Sequence, residues 1–214
     1  MTATIGFVGF GNMNSTMAEF AVKAGYRVIL SNSRGPASLA AAVSKLGDLA
    51  TAATLEDAVQ KSDFVSVSIP FKNLDQLPFV EKIVIDSMDY YPERDDDPTR
   101  WALPIAGDHA ESKAVVAKFM DAIGFDPVDC GSLSESWRIQ QNTPGYCAPY
   151  VGEVPANATP RELYEWVMQD HSRVMKAADI HAMAASAVNS GRVGQLFSDF
   201  PSEYVTVFSM KFKN

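Results

Sequence analysis

Apolar and polar positions change period several times along the first half of the chain. Ile5 to Val8 form a continuous apolar run, the mark of a strand covered on both faces. After Gly9-Phe10-Gly11 the spacing turns helical, with Met13, Met17, Phe20, Ala21 and Ala24 on one face until Gly25 closes the segment. A second apolar run, Val28 to Leu30, ends in Ser31-Asn32-Ser33-Arg34-Gly35. Pro36 can open a helix that aligns Leu39, Ala42, Val43 and Leu46 before Gly47. A short stretch, Asp48 to Ala53, leads to Thr54, which can cap a helix ending near Lys61 with Asp57 three residues on. Asp63 to Ile69 is a β-rich run halted by Pro70 and reads as a central strand, the fourth of a parallel sheet. Asn73 to Val80 reads as a weak helix broken by Pro78, and Lys82 to Asp86 as a compact buried strand.

Short strands separated by helices of this length require right-handed crossovers, so the expected fold is α/β, a Rossmann-like doubly wound parallel sheet. The polar, acidic and proline-containing stretch Ser87 to Arg100 reads as a loop. It divides a dinucleotide-binding domain, residues 1–94, from a smaller C-terminal α/β portion, residues 95–214, expected to pack with it as one unit. In that portion Trp101 to Ala106 reads as a strand and Ala110 to Ile123 as a helix capped by Asp108 and stopped by Gly124. Phe125 to Val128 reads as a further strand. Asp129 to Pro160 is loop-rich. A helix opens at Pro160 and could run on through Val174, Ile180 and Val188, and Glu203 to Phe212 alternates as a strand would.

Composition narrows the class. With 214 residues and 47% hydrophobic content the chain can bury a full core. Its net charge of −8 disfavours nucleic acid and anionic membrane surfaces as partners. No apolar run approaches the roughly 18 residues that span a bilayer. The first strand starts almost at once, without a basic n-region, which points to the cytoplasm. Cys130 and Cys147 have neither a CxxC spacing nor the numbers for a disulfide framework.

The candidate chemistry lies at the first turn. A helix that begins just after a glycine turn presents unpaired backbone N–H groups and a partial positive charge, where a pyrophosphate fits. Gly9 permits the turn, Gly11 lets the backbone approach a ligand, and Asn12 and Met13 supply the first amides. Asn14 stands where the fingerprint has its third glycine. An NAD enzyme places Asp or Glu at the end of the second strand to bind the ribose hydroxyls. Here Asn32, Ser33 and Arg34 offer donors and a positive charge, the chemistry of a 2′-phosphate, which favours NADP(H). Ile69, Pro70 and Phe71 after the fourth strand, and Ser87 after the fifth, are placed to line the nicotinamide.

No acid–base pair accompanies this site. His109, His171 and His181 lack metal or triad spacing, three consecutive aspartates at Asp95 to Asp97 cannot face one ion together, and no GxSxG, HExxH or P-loop is present. Carbonyl reduction needs a proton donor, whereas hydride exchange between two flat conjugated rings needs mainly stacking and distance. The second suits this chain better.

The segments GFVGFGNMNSTMA, SNSRGP, SVSIPFKNL, KIVIDS, ALPIAGD and GFDPVDCGSL together resemble the coenzyme F-420-dependent NADP oxidoreductases. The resemblance implies that Ser33 and Arg34 hold the 2′-phosphate and that Ile69-Pro70-Phe71 lie near the nicotinamide. It further implies hydride transfer between NADP(H) and a flat small-molecule acceptor, a deazaflavin of the F-420 type. The tail from Pro160, which the resemblance does not cover, is helical enough to serve as a lid or as the contact of a homodimer. The chain departs from the family pattern at Asn14, at Met88-Asp89-Tyr90 where a Thr-Asn-Pro run is usual, and in its short passage from Arg94 to Ala102. Two alternatives stay open: a protein that binds NADP to sense redox state without catalysis, and a small imine or ketone reductase. The latter requires a donor such as Tyr146 or Cys147 near the nicotinamide.

Overall fold

The computed structural model describes residues 3–69, 77, 82–86, 100–140, 143–146, 155, 157–167, 169 and 174–189. The chain divides into two compact units, Met1–Asp97 with Lys118–Ile123, and Pro98–Ala117 with Gly124–Asn214.

The first unit is built from β1 (Thr4–Val8), α1 (Asn12–Lys23), β2 (Arg27–Ser31), α2 (Ala40–Leu46), β3 (Ala50–Ala52), α3 (Leu55–Gln60), β4 (Phe64–Val67) and β5 (Ile83–Asp86). A single 3₁₀ turn, Pro36–Leu39, precedes α2. The five strands form one parallel sheet in the order β3-β2-β1-β4-β5. The Rossmann-like expectation therefore holds. Strand order reverses between β1 and β4, and ligands of such sheets sit beyond the carboxyl ends of the strands at that point. Register brings those ends level: Val8 lies opposite both Ser31 and Val67, and Val67 opposite Asp86.

Alternation along the central strands assigns each face to a helix layer. Ile5, Phe7, Val28, Leu30 and Phe64 form one core with Met17, Ala18 and Ala21 of α1. Val8, Val65 and Val67 form another with Val59 of α3. Burying each large apolar side chain contributes about 1.5–3 kcal/mol. Gly6 lies on the α3 face, where an added Cβ would come 2.5 Å from the Ala58 carbonyl and 2.7 Å from Ser62 Oγ. A glycine inside β1 is thus what lets α3 press against the sheet. Thr54 caps α3 as expected, its Oγ1 accepting from the Asp57 N–H at 3.2 Å.

The second unit contains β6 (Trp101–Ile105) and β7 (Phe125–Asp129), paired in parallel as a separate two-stranded sheet. The helix α4 (Ala110–Ala122) connects them, and its end, from Lys118, is counted with the first unit. There Phe119, 1% exposed, meets Tyr26 edge-on at 5.4 Å between centroids and Phe64 at 5.5 Å. Asp108, expected to cap α4, accepts through Oδ1 from the Leu133 N–H at 2.9 Å and so anchors a 3₁₀ run, Leu133–Ile139, inside the stretch read as loop. One expectation is corrected. The single long helix from Pro160 is two helices, Pro160–Val167 and Ala177–Ser186. Between them Met175 is fully buried and its carbonyl accepts from the Ala102 N–H at 2.9 Å, a strand-type contact that a continuous helix could not make. The expected helix from Asn73 to Val80, the loop from Ser87 and the strand from Glu203 lie wholly or mostly outside the described residues.

Candidate functional site

The turn after β1 is forced by local geometry. Gly9 has φ of 83°, and a Cβ there would fall 2.2 Å from the Ser68 carbonyl oxygen and 2.7 Å from Ile69 Cγ2. The chain after β4 therefore presses directly on the turn, which brings Gly9 and Ile69 together. Gly9 donates its N–H to the Ser31 carbonyl at 3.1 Å, and Ser68 donates to the Val8 carbonyl at 2.9 Å, which ties the ends of β1, β2 and β4 into one rim.

Gly11 is different. It is the N-cap of α1, and a Cβ on it would meet nothing within 4 Å. The first intrahelical bond runs from the Ser15 N–H to the Gly11 carbonyl at 2.9 Å, so the amides of Asn12, Met13 and Asn14 lie ahead of the ladder. The first turn of α1 carries no acidic residue and no side-chain cap, while Lys23 occupies the last turn. The helix dipole at the Gly11 end thus meets no acidic side chain within that turn. Met13 is 8% exposed, so what it can offer a ligand is its backbone amide; Asn12 is exposed.

Asn14 is fully buried. Its Nδ2 donates to the carbonyls of Gly9 at 2.6 Å and Val8 at 3.2 Å, with a longer contact of 3.4 Å to that of Ser66. Its Oδ1 accepts from Ser66 Oγ at 2.8 Å. The departure from the glycine fingerprint is therefore a hydrogen-bonded one.

At the end of β2, Ser31 is fully buried and donates from Oγ to the Phe7 carbonyl at 2.9 Å. Asn32 folds the next loop back on itself. Its Oδ1 accepts from the Arg34 N–H at 2.9 Å, its amide lies 3.0 Å from Ser38 Oγ, and Ser38 Oγ donates to the Gly35 carbonyl at 2.7 Å. The Asn32 side chain is thus committed to shaping the loop. Ser33 and Arg34 are exposed, and among the described residues neither side chain makes a hydrogen bond or ion pair. An exposed charged donor in the loop after β2, together with a glycine turn and a helix end without a side-chain cap after β1, could hold a ligand bearing phosphates at two places.

Pro70, Phe71 and Ser87, expected to line the nicotinamide, lie outside the described residues, as do His171 and Cys147. Ile69 is half-buried and packs beside the Val8 cluster. In the second unit His109 and His181 are exposed and Tyr146 is half-buried. Cys130 is also half-buried; burial first, and the neighbouring Asp129 second, push its thiol up. Among the described residues no group of three or more His, Cys, Asp or Glu is placed to hold a metal ion, and no helix is long and apolar enough to cross a membrane.

Sequence reasoning missed Gly6, Ser38 and Ser66. Ser66 had a signal, a serine within an apolar strand on the face that alternation turns toward α1. Ser38, seven residues beyond Ser31 in a surface turn, had none.

Parallel order 3-2-1-4-5 and a glycine turn at the strand-order reversal define a Rossmann-like α/β unit. Residues 4–90 match the family described as NADP oxidoreductase, coenzyme F420-dependent, and the resemblance read from the motifs stands over that stretch. The Escherichia coli (strain K12) protein YjhV is 41% identical over 61 residues, which are 28% of this chain and 44% of YjhV. The chain thus matches less than half the length of that curated relative. A crystal structure of the hypothetical protein SMa0349 from Sinorhizobium meliloti superposes with a TM-score of 0.53 at 25% identity, covering 66% of this chain and 91% of that one. Another, assigned as an F420-dependent NADP-reductase from Arthrobacter sp. FB24, superposes with a TM-score of 0.51 at 15% identity, covering 64% and 87%. At that identity the second likeness speaks to the fold.

Proposed function

We propose that this chain is an oxidoreductase that binds NADP(H) at the carboxyl rim of its five-stranded sheet and exchanges hydride with a flat redox acceptor, a deazaflavin of the F-420 type. One observation carries the cofactor reading: the loop after β2 lacks a carboxylate and is braced by Asn32 and Ser38, leaving the Ser33 hydroxyl and Arg34 guanidinium exposed. The family matched by residues 4–90 carries the reading toward an acceptor of this class.

The residues present fit the cofactor. The amides of Asn12 and Met13 and the open space at Gly11 would receive the pyrophosphate, and Ser33 and Arg34 the 2′-phosphate. Bound there, NADPH supplies the hydride. The chain's own part is to bind and orient: the Gly9 turn and Ile69 form the floor at the strand ends, and the uncapped helix end offsets phosphate charge. Pro70, Phe71 and Ser87 remain the proposed nicotinamide-side residues, and the C-terminal portion the proposed acceptor or dimer-forming part. Stopped-flow mixing of the full chain with NADPH and, in turn, deazaflavin, flavin, quinone and cyclic imine acceptors tests the reading. Rapid NADPH oxidation by deazaflavin is expected. Oxidation by imines alone would make the chain an imine reductase, and tight NADPH binding with no acceptor active would make it a sensor.

A further inference from the structure

The position at which a dinucleotide fingerprint ordinarily has its third glycine serves close packing of helix on strand. In this chain that position holds the fully buried Asn14, with each end of its carboxamide engaged. The amide nitrogen grips the Gly9 carbonyl at 2.6 Å, and the amide oxygen is itself held by Ser66 Oγ at 2.8 Å across to β4. A trans peptide is planar, with its C=O and N–H pointing in opposite directions. No peptide bond in the described residues is cis. Drawing the Gly9 carbonyl inward toward Asn14 therefore aims the Phe10 N–H outward, away from the buried carboxamide and toward the open side of the turn. Rotation of that one peptide would break the bond to Asn14 and swing the amide away.

We propose that Asn14, held by Ser66, is a positioning residue that locks the Gly9–Phe10 peptide so that the turn presents its N–H to the cofactor's pyrophosphate. The inference rests on the reading of this rim as an NADP(H) site. It adds that the lock acts on the pyrophosphate half of the ligand and not on the 2′-phosphate half, which belongs to Ser33 and Arg34 on another strand end. The carbonyls of Gly9 and Val8, which can only accept, fix which way round the carboxamide sits, and Ser66 is the second member because its hydroxyl holds the amide oxygen from the other side.

The test uses the full chain and two probes, NADPH and adenosine 2′-monophosphate, which keeps the 2′-phosphate and adenine and lacks the pyrophosphate. Asn14→Ala should raise the NADPH dissociation constant about tenfold, the equivalent of one buried hydrogen bond, and leave that of adenosine 2′-monophosphate within about twofold. Ser66→Ala keeps the amide in place without this second hold and should raise the NADPH constant about threefold with the same selectivity. It also keeps the proposal testable if Asn14→Ala does not fold. Equal weakening of both probes by a folded variant, or no weakening of NADPH by either, would overturn the positioning role. Failure of the unmodified chain to bind either probe would overturn the site reading beneath it as well.

Discussion

Two glycines five and three residues ahead of Asn14 do different work, and the difference can be measured. At Gly9 a methyl would lie 2.2 Å from a backbone oxygen that cannot move aside, on a backbone with φ of 83°. Gly9→Ala should cost about 1–3 kcal/mol of stability, read as a lower denaturation midpoint. At Gly11 a methyl meets nothing within 4 Å. Gly11→Ala should leave the midpoint nearly unchanged and, on the proposed function, weaken NADPH, because the methyl would project into the space proposed for the pyrophosphate. A composition-level reading treats both as fingerprint glycines; only their surroundings separate the glycine the fold requires from the one proposed to face the ligand. Asn14 marks where residue-level legibility stopped. The pattern showed a departure, but the hydroxyl that holds its amide oxygen belongs to Ser66, 52 residues away.

Among elements, those with a strong period were legible and those formed by small residues or distant contacts were not. β1, α1, β2, α3 and β4 lie where apolar spacing and the capping pair Thr54/Asp57 put them. β3 was read only as a short stretch, since Ala50–Ala52 is too small-residued to show an apolar run and owes its strand to pairing with Val28–Leu30. The helix from Pro160 breaks because Met175 is drawn into the core beside Ala102, a tertiary preference that local periodicity does not encode. Two element-scale predictions follow from packing and charge. Phe119→Ala, which empties the contact with Tyr26 and Phe64, should cost about 3–5 kcal/mol in urea unfolding. Between α4 and β7, Lys113 Nζ donates to both oxygens of Asp129, at 2.8 and 2.7 Å. That bond first, and the Gly131 amide second, hold the Asp129 carboxyl below its ordinary value of 3.8. A carboxyl depressed in the folded state contributes its stability above that ordinary value and loses it as the pH falls through the folded one. The Asp129 side chain is 56% exposed, so the contribution should stay under about 1 kcal/mol. Thermal melts of Asp129→Asn should show a correspondingly shallower loss of stability on acidification than the parent.

For the molecule as a whole, two compact units divide the labour of inference unequally. The first contains the parallel sheet, the glycine turn and the Ser33–Arg34 loop, and it coincides with the stretch that matches the NADP oxidoreductase family. It was legible because a dinucleotide site is built from local sequence at consecutive strand ends. The second unit, with its two-stranded sheet and separate helices, was less legible: its segments ALPIAGD and GFDPVDCGSL contributed to the resemblance but named no site residue, since an acceptor site would be assembled from residues distant in the chain. The central claim is therefore about the cofactor. Calorimetric titration of the full chain and its Arg34→Ala variant with NADPH and NADH tests it most directly. The account predicts that NADPH binds the parent more tightly than NADH, and that Arg34→Ala weakens NADPH by about 1–3 kcal/mol while hardly changing NADH. Equal affinities for the two cofactors, or equal losses on removing Arg34, would contradict it.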